Sequence, residues 1–426
     1  MKLSKYNYFF KPLNKFVVYN SFSASLIELE DELYNDLVNN NFANIAKKTL
    51  SELVELSIIV YDDNILINKL KFEIYKSRYD RENLHLTITP TYFCNFNCSY
   101  CYEDNRPKIF MSENTIQNLI SFVKEKKVSN LTVTWYGGEP LLAFDKIVKL
   151  TTELKKIVKT FSAHIVTNGY LLTPDKIKLL KDLNIEEIQI TLDGPPEIHN
   201  IKRPLQSGKE TFNKIINNTK SVLKETNINV VIRVNIDKKN SDYYYSFQKY
   251  LLNEFNSEKL FIYPAMIHNF EDNKSCLVTT GCLLDKNEYS KFLIEQFNKN
   301  KNINLNYFPS PPDIECMAKH INAFLIGADG DIYKCWLDIG NKNKRIGNIN
   351  DATIKNYNVL SMYMVEMDVF EDEKCSNCIL LPSCVGGCPN ERIAAKVNKH
   401  IDYCSPMIKD LESFLKIQYK IETKSI

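Results

Sequence analysis

Cys94, Cys98 and Cys101 stand within "TYFCNFNCSYC", residues 91 to 101, at the spacing C-x3-C-x2-C. Thiolates this close together are soft donors suited to zinc or to an iron–sulfur cluster. A tetrahedral zinc site needs a fourth ligand, and His85, the only close histidine, lies on the preceding strand itself. Three thiolates can instead bind three irons of a [4Fe–4S] cube and leave the last iron open to another ligand. The chain has twelve cysteines, none before Cys94, and the nine after the triplet fall between Cys276 and Cys404. In a reducing compartment such clustering signals metal or redox chemistry rather than disulfides.

The later cysteines also repeat regularly. Cys316 and Cys335 frame C-x13-G-x4-C around Gly330, and Cys375, Cys378, Cys384 and Cys388 form C-x2-C-x5-C-x3-C, followed by Cys404. Buried thiols acting as small apolar groups would explain two or three cysteines but not this spacing. By itself, C-x2-C-x5-C-x3-C is also a credible zinc ribbon.

Composition narrows the class. The 426 residues are 44% hydrophobic and 25% charged with a net charge of +2, a balance that argues against a dedicated nucleic-acid or membrane-surface binder. No apolar run reaches the roughly 18 residues of a membrane span. "MKLSKYNYFFKPLNK" lacks the continuous apolar core of a signal peptide, so a cytoplasmic location is expected.

The elements that must position these cysteines can be read from the apolar pattern. Residues 1–83 read as a small separate module. "YNYFF" and "KFVVYN" form a hairpin turning at Lys11 to Asn14, Leu26, Leu29, Leu33 and Leu37 recur at helical spacing, and "NIAKKTLSELVEL" leads to the strand "SIIVYDD". This order suits a winged-helix-like module. From Leu84 strands alternate with helices: 84–89, 131–135, 164–168, 187–193, 228–237 and 259–265 read as strands. "TPDKIKLLKDLN" has Thr173 as N-cap and Pro174 at the first helical position. The pattern predicts an α/β fold with a parallel sheet, either an open barrel or a doubly wound sheet. In both, ligands bind beyond the C-terminal ends of the strands. The triplet, "GGEP" (137–140), "NGY" and "DGPP" each follow one of the first four strands, so all gather on that rim.

With these residues in place, the sequence resembles the radical S-adenosylmethionine (SAM) superfamily, marked by C-x3-C-x2-C with an aromatic, here Tyr100, before the third cysteine. The resemblance implies a partial (β/α)6 TIM-type barrel over residues 84–305. It also implies a SAM-binding [4Fe–4S] cluster on Cys94, Cys98 and Cys101, whose open iron chelates SAM. Reductive cleavage of SAM would give a 5′-deoxyadenosyl radical that abstracts hydrogen from substrate. Gly137 and Gly138 would let backbone approach the ligand closely, and Glu139 would pair with the SAM ammonium. Asn168 and Thr191 would hold ribose or carboxylate, and Arg203 would clamp the carboxylate. Asp193 is either a site residue or a turn former, His199 orders its loop, and Arg233 and Asn235 face inward or outward according to register.

Residues 306–426 resemble the SPASM domain, the C-terminal extension of a large radical SAM branch, with all seven of its cysteines. That implies two auxiliary [4Fe–4S] clusters: Cys375, Cys378, Cys384 and Cys404 around one, Cys316, Cys335 and Cys388 around the other. Cys276 or Cys282 would complete the second set, or a substrate thiolate would. Within the branch, anaerobic sulfatase-maturating enzymes carry an Asp after the cysteine equivalent to Cys335, where this chain has Trp336, and begin close to the triplet. Both departures favour the branch that matures ribosomally made peptides (RiPPs), forming thioether or C–C crosslinks. There a module like residues 1–83 binds the precursor's leader by strand addition. The expected partners are a precursor peptide and an electron donor such as flavodoxin or ferredoxin, with no nucleic acid and no membrane. The alternatives are formylglycine generation on a sulfatase and, in another class, a non-catalytic iron–sulfur electron carrier or zinc adaptor.

Overall fold

The computed structural model describes residues 1–103, 107–267, 282–299, 308–312 and 315–424. After β1 (Lys2–Leu3), the expected hairpin is present: β2 (Asn7–Phe10) pairs antiparallel with β3 (Phe16–Asn20), placing Asn7 opposite Asn20 and Phe10 opposite Val17. The following segment departs from the helical reading. Ser25–Leu29 is β4, paired antiparallel with β3, and helix occupies only Asp31–Val38. The reason is a period of two hidden in the leucine pattern. Leu26 packs toward Phe10, Val17 and Tyr19, whereas Ile27 and Leu29 pack on the other sheet face with Val18, Leu37 and Ile59. Helix Lys47–Glu55 and β5 (Ile59–Val60), which pairs with β1, follow as expected. A further helix, Asp63–Arg78, is capped by Asp62 accepting from Asn64 N.

These N-terminal elements share their cores with the C-terminal segment. Phe10, Val17 and Tyr19 pack with Leu380, Leu411 and Leu415, and Tyr6 and Ile74 pack with Val369, Cys375 and Leu381. Met1–Tyr79, Lys286–Cys316 and Met364–Ile426 therefore form one compact unit, and Asp80–Asp285 with Met317–Tyr363 forms the other. The contacts thus divide the chain differently from the sequence partition at residues 83 and 305. A two-faced sheet of short strands must bury both faces, and the C-terminal residues cover one of them.

The second unit holds the β/α repeats. Strands β6 (Asn83–Ile88), β7 (Asn130–Trp135), β8 (Thr160–Thr167), β9 (Ile185–Thr191), β10 (Asn229–Ile236) and β11 (Leu260–Met266) are parallel and lie side by side in chain order. A doubly wound sheet reverses its strand order, so the monotonic order identifies the partial TIM-type barrel. Val133, Ile165, Ile188 and Ile232, on one face of the sheet, are fully buried. Thr173 occupies the N-cap of helix Pro174–Leu180 but makes no side-chain bond there; Pro174 fixes the helical start.

One pairing lies outside the sequence reading. β12 (Ala323–Ile326) joins the free side of β6 in parallel, with Ala323 opposite His85. It turns through Gly330 into β13 (Asp331–Tyr333), which pairs with β14 (Gly347–Asn348). Gly330 has φ +86°, and an added Cβ would stand 2.5 Å from Asn350 Nδ2. Among the described residues no helix is long and apolar enough to cross a membrane.

Gly330→Ala is expected to destabilise the protein by about 1–3 kcal/mol, seen as a lower denaturation midpoint at unchanged slope. An unchanged midpoint would show that the turn tolerates a side chain.

Candidate functional site

The triplet occupies the loop that leaves β6, and neighbouring segments pin its backbone. Asn97 N donates to Pro204 O at 2.8 Å, Ser99 N to Lys202 O at 3.1 Å and Gln206 N to Asn95 O at 2.8 Å. Gln206 Nε2 also donates to Cys94 O at 2.6 Å. From the other side Gly138 N donates to Thr91 O at 3.3 Å and Glu139 N to Phe93 O at 3.0 Å. A Cβ on Gly138 would lie 2.4 Å from the carbonyl oxygens of Tyr92 and Phe93. The close approach these glycines permit in this structure is therefore to the cysteine loop. Cys94 is buried, with its Sγ accepting from Phe96 N at 3.4 Å, while Cys98 and Cys101 are half-buried.

Tyr100 ties this loop to two further strand ends. Its hydroxyl donates to Asp193 Oδ2 and accepts from Arg203 Nη1 at 2.6 Å and Asn235 Nδ2 at 3.0 Å. Asp193 Oδ1 in turn accepts from Asn235 N at 3.1 Å. Burial pushes the Tyr100 phenol far above its usual range, with Asp193 adding to the effect. Burial opposes the Arg203 charge, but Cys98, Tyr100 and Asp193 beside it keep the guanidinium protonated. Asp193 thus does more than form a turn. His199 sits behind it, taking Asp193 N at Nδ1 and bonding Thr211 Oγ1 through Nε2. Burial and the nearby Arg203 and Lys202 charges hold this imidazole neutral.

Glu139 is fully buried. Its Oε1 accepts from Leu141 N at 3.0 Å and Thr167 Oγ1 at 2.7 Å, and its Oε2 from Asn168 N at 2.8 Å. Burial raises its carboxyl above the usual range even against these donors. Asn168 Nδ2 reaches Asn95 Oδ1 in the cysteine loop at 2.8 Å. Thr191 ends β9 beside Arg233, whose Nε donates to Asn235 Oδ1 at 2.9 Å. The rim residues inferred from four separate loops therefore meet in one connected set.

Trp336 forms an aromatic wall over the strand ends. Its ring centroid lies 4.5 Å from that of Tyr136, its Nε1 donates to Thr87 Oγ1 at 3.0 Å, and Tyr136 OH bonds Tyr102 OH. No local motif marked Tyr136, Gln206 or Asn95, since each acts through a contact distant in sequence.

In the other unit Cys375, Cys378, Cys384 and Cys404 line a cavity of about 100 Å³ together with Leu380 and Tyr403. Cys388 and the exposed Cys316 belong to the same unit, and burial pushes the Cys388 thiol up to about 11. Arg78 holds Glu315, the neighbour of Cys316, through a buried two-armed pair at 3.0 Å. Cys335 follows β13 in the barrel unit. Cys282 is half-buried, and its carbonyl accepts from Lys238 N at 2.7 Å. Cys276 lies outside the described residues.

Among the described residues no three His, Cys, Asp or Glu side chains stand ready to hold a single metal ion. The four-thiolate cavity suits a polyatomic cluster, whose soft metals match these donors. At the barrel rim, buried Arg203 Nε and Thr89 Oγ1 have no hydrogen-bond partner among the described residues, and native buried polar groups of this kind normally have one. An unmet cation donor beside three thiolates fits an anionic small molecule bound next to a cluster.

A partial β/α barrel with three thiolates and unmet polar groups on its C-terminal rim suits a cluster and a small-molecule cofactor. Residues 88–246 match the Radical SAM superfamily, which implies SAM and a [4Fe–4S] cluster. The chain is 25% identical over 328 residues to the cysteine-type anaerobic sulfatase-maturating enzyme of Clostridium perfringens (strain ATCC 13124), covering 69% of this chain and 85% of that protein. Native anSMEcpe with bound AdoMet and Cp18Cys peptide superposes with a TM-score of 0.60 at 21% identity, over 80% of this chain and 99% of that one. Streptococcus suis SuiB bound to precursor peptide SuiA superposes at 0.53 and 17% identity, over 95% of this chain and 97% of that one. The protein resembles radical SAM enzymes of the SPASM and peptide-maturase type.

Glu139→Gln replaces one acceptor oxygen with a donor facing the donors it now satisfies. A loss of about 1–3 kcal/mol is expected, measured by chemical denaturation; wild-type stability would contradict the burial described.

Proposed function

We propose that this protein is a radical SAM/SPASM maturase that oxidatively modifies a ribosomally made precursor peptide, forming a thioether or C–C crosslink. The observation that carries the reading is the single hydrogen-bonded set linking the cysteine loop, Glu139, Asn168, Asp193 and Arg203 at the barrel rim. Cys94, Cys98 and Cys101 would hold the cluster. When bound, cluster and SAM supply a 5′-deoxyadenosyl radical that takes a hydrogen atom from substrate. Arg203 offers its free Nε–H to a carboxylate, Glu139 can face an ammonium, and Gly137, Gly138 and Thr191 shape the wall. Trp336 and Tyr136 exclude water from the strand ends.

Cys375, Cys378, Cys384 and Cys404 would hold one auxiliary cluster, with Cys316, Cys335 and Cys388 serving the other and Cys276 or Cys282 as its remaining candidate ligand. Residues 1–83 would bind the leader of the precursor at an edge of the β2–β3–β4 sheet. That the SuiB superposition extends over 95% of this chain supports this reading. A flavodoxin or ferredoxin would supply electrons.

Formylglycine generation is the second reading, favoured by the identity to a sulfatase-maturating enzyme. Against it stands Trp336. The position after Cys335 carries an indole tilted against the Tyr136 ring, with no carboxylate to take a proton.

Replacing Cys94, Cys98 or Cys101 by Ala is expected to abolish conversion of SAM to 5′-deoxyadenosine while auxiliary iron stays bound. Cleavage persisting in any of the three sinks the assignment. Replacing Cys375 or Cys404 should leave uncoupled SAM cleavage and remove the peptide product. Mass spectrometry of a short peptide encoded beside this gene, co-expressed with the enzyme, should show loss of two hydrogens from its core. Modification of a sulfatase instead would transfer the protein to the other branch.

A further inference from the structure

Arg392, on the helix Pro389–Val397, is 6% exposed and directs its guanidinium at the four-cysteine cavity. Nη1 donates to Cys375 Sγ at 3.1 Å, and Nη2 donates to Asp372 Oδ2 at 2.9 Å. Asp372 Oδ1 caps the short helix Glu373–Ser376 by accepting from Cys375 N at 3.0 Å. One arm of the arginine is thereby accounted for by an ion pair that shapes the loop. The other arm is aimed at sulfur.

A second cation joins it. Lys374 lines the same cavity as Cys404, and its ammonium lies 4.8 Å from the centroid of the Tyr403 ring, with the Arg392 guanidinium 4.9 Å from the same centroid. One of the four thiolates around this cavity thus receives a charge-assisted donor, and a second cation stands at the cavity wall. Cys388 differs: it stands at the N-cap of the helix Pro389–Val397, whose first turn carries the acidic Glu391.

We propose that Arg392 and Lys374 raise the reduction potential of the cluster held by Cys375, Cys378, Cys384 and Cys404. The proposal rests on the auxiliary-cluster reading above. Reduction adds one electron and one negative charge spread over iron and sulfur; no bond forms or breaks, and no proton is required. A cation hydrogen-bonded to a ligand sulfur is held more tightly after that charge arrives, so it stabilises the reduced form. Arg392 acts inside the protein, where charges are weakly screened, and the exposed Lys374 acts through solvent. Both are positioning residues, since neither touches a reacting atom of substrate.

The test uses the full chain with Cys94→Ala, Cys98→Ala and Cys101→Ala, reconstituted anaerobically so that bound iron belongs to the auxiliary sites. Potentiometric titration with dithionite, followed by electron paramagnetic resonance, is compared in that parent and with Arg392→Gln, Arg392→Lys or Lys374→Ala added. Arg392→Gln should keep its iron and lower the reduced-to-oxidised ratio of one cluster about tenfold at fixed potential, about 59 mV for a one-electron couple. Arg392→Lys should recover part of that shift. Lys374→Ala, whose exposed side chain leaves the fold intact, should give a smaller shift that shrinks at high salt and carries the test if Arg392→Gln loses iron. Full iron with unshifted potentials in both Arg392→Gln and Lys374→Ala overturns the proposal alone. A parent that binds no iron overturns the auxiliary-cluster reading and this proposal with it.

Discussion

Everything at the barrel rim depends on holding a short, cysteine-bearing loop rigid although it belongs to no helix or strand. The constraint that achieves this is the Tyr100 hydroxyl, shared among Asp193, Arg203 and Asn235. It joins the loop after β6 to the ends of β9 and β10. A buried phenol that both donates and accepts leaves no room for a slack arrangement, because an unpaired partner would carry a desolvation cost. The aromatic before the third cysteine is therefore a structural requirement of this site as well as a sequence mark.

The same economy of roles recurs around it. Gly138 lacks a side chain because the carbonyls of Tyr92 and Phe93 stand where a Cβ would be. Glu139 gathers donors from β8 and its own turn, so that "GGEP" clamps the cysteine loop to the next two strands. Among the described residues, the Arg203 Nε–H and the Thr89 hydroxyl remain without a partner after this pairing, and the first is cationic. The local field thus selects an anionic group beside the thiolates, as a carboxylate-bearing cofactor requires.

Much of this was legible in the sequence because it is local. Apolar alternation located all six barrel strands to within a few residues, and the C-terminal-end rule gathered four loops at one rim before any geometry was known. The β4 segment was misread because Leu26, Leu29, Leu33 and Leu37 fit a helix as well as a strand followed by a helix; pairing with β3 decides between them. Helix Asp63–Arg78 was passed over because Ile65 and Phe72 are exposed and blur its apolar face. The pairing of β12 with β6, the Gln206 clamp and the core shared by Tyr19 with Leu415 join residues far apart in the chain. No local spacing reports such contacts. Arg233 and Asn235 were ambiguous for a related reason: facing depends on register, which only the sheet sets.

The central claim is that the three rim thiolates carry a cluster with one iron open to SAM. The most direct measurement is electron paramagnetic resonance of the anaerobically reconstituted, reduced protein before and after adding SAM, with Cys375→Ala and Cys404→Ala as a parallel sample. A change in the g-values of one cluster on addition, retained in the parallel sample, is the expected result. A fully iron-loaded protein whose spectrum ignores SAM would contradict the account.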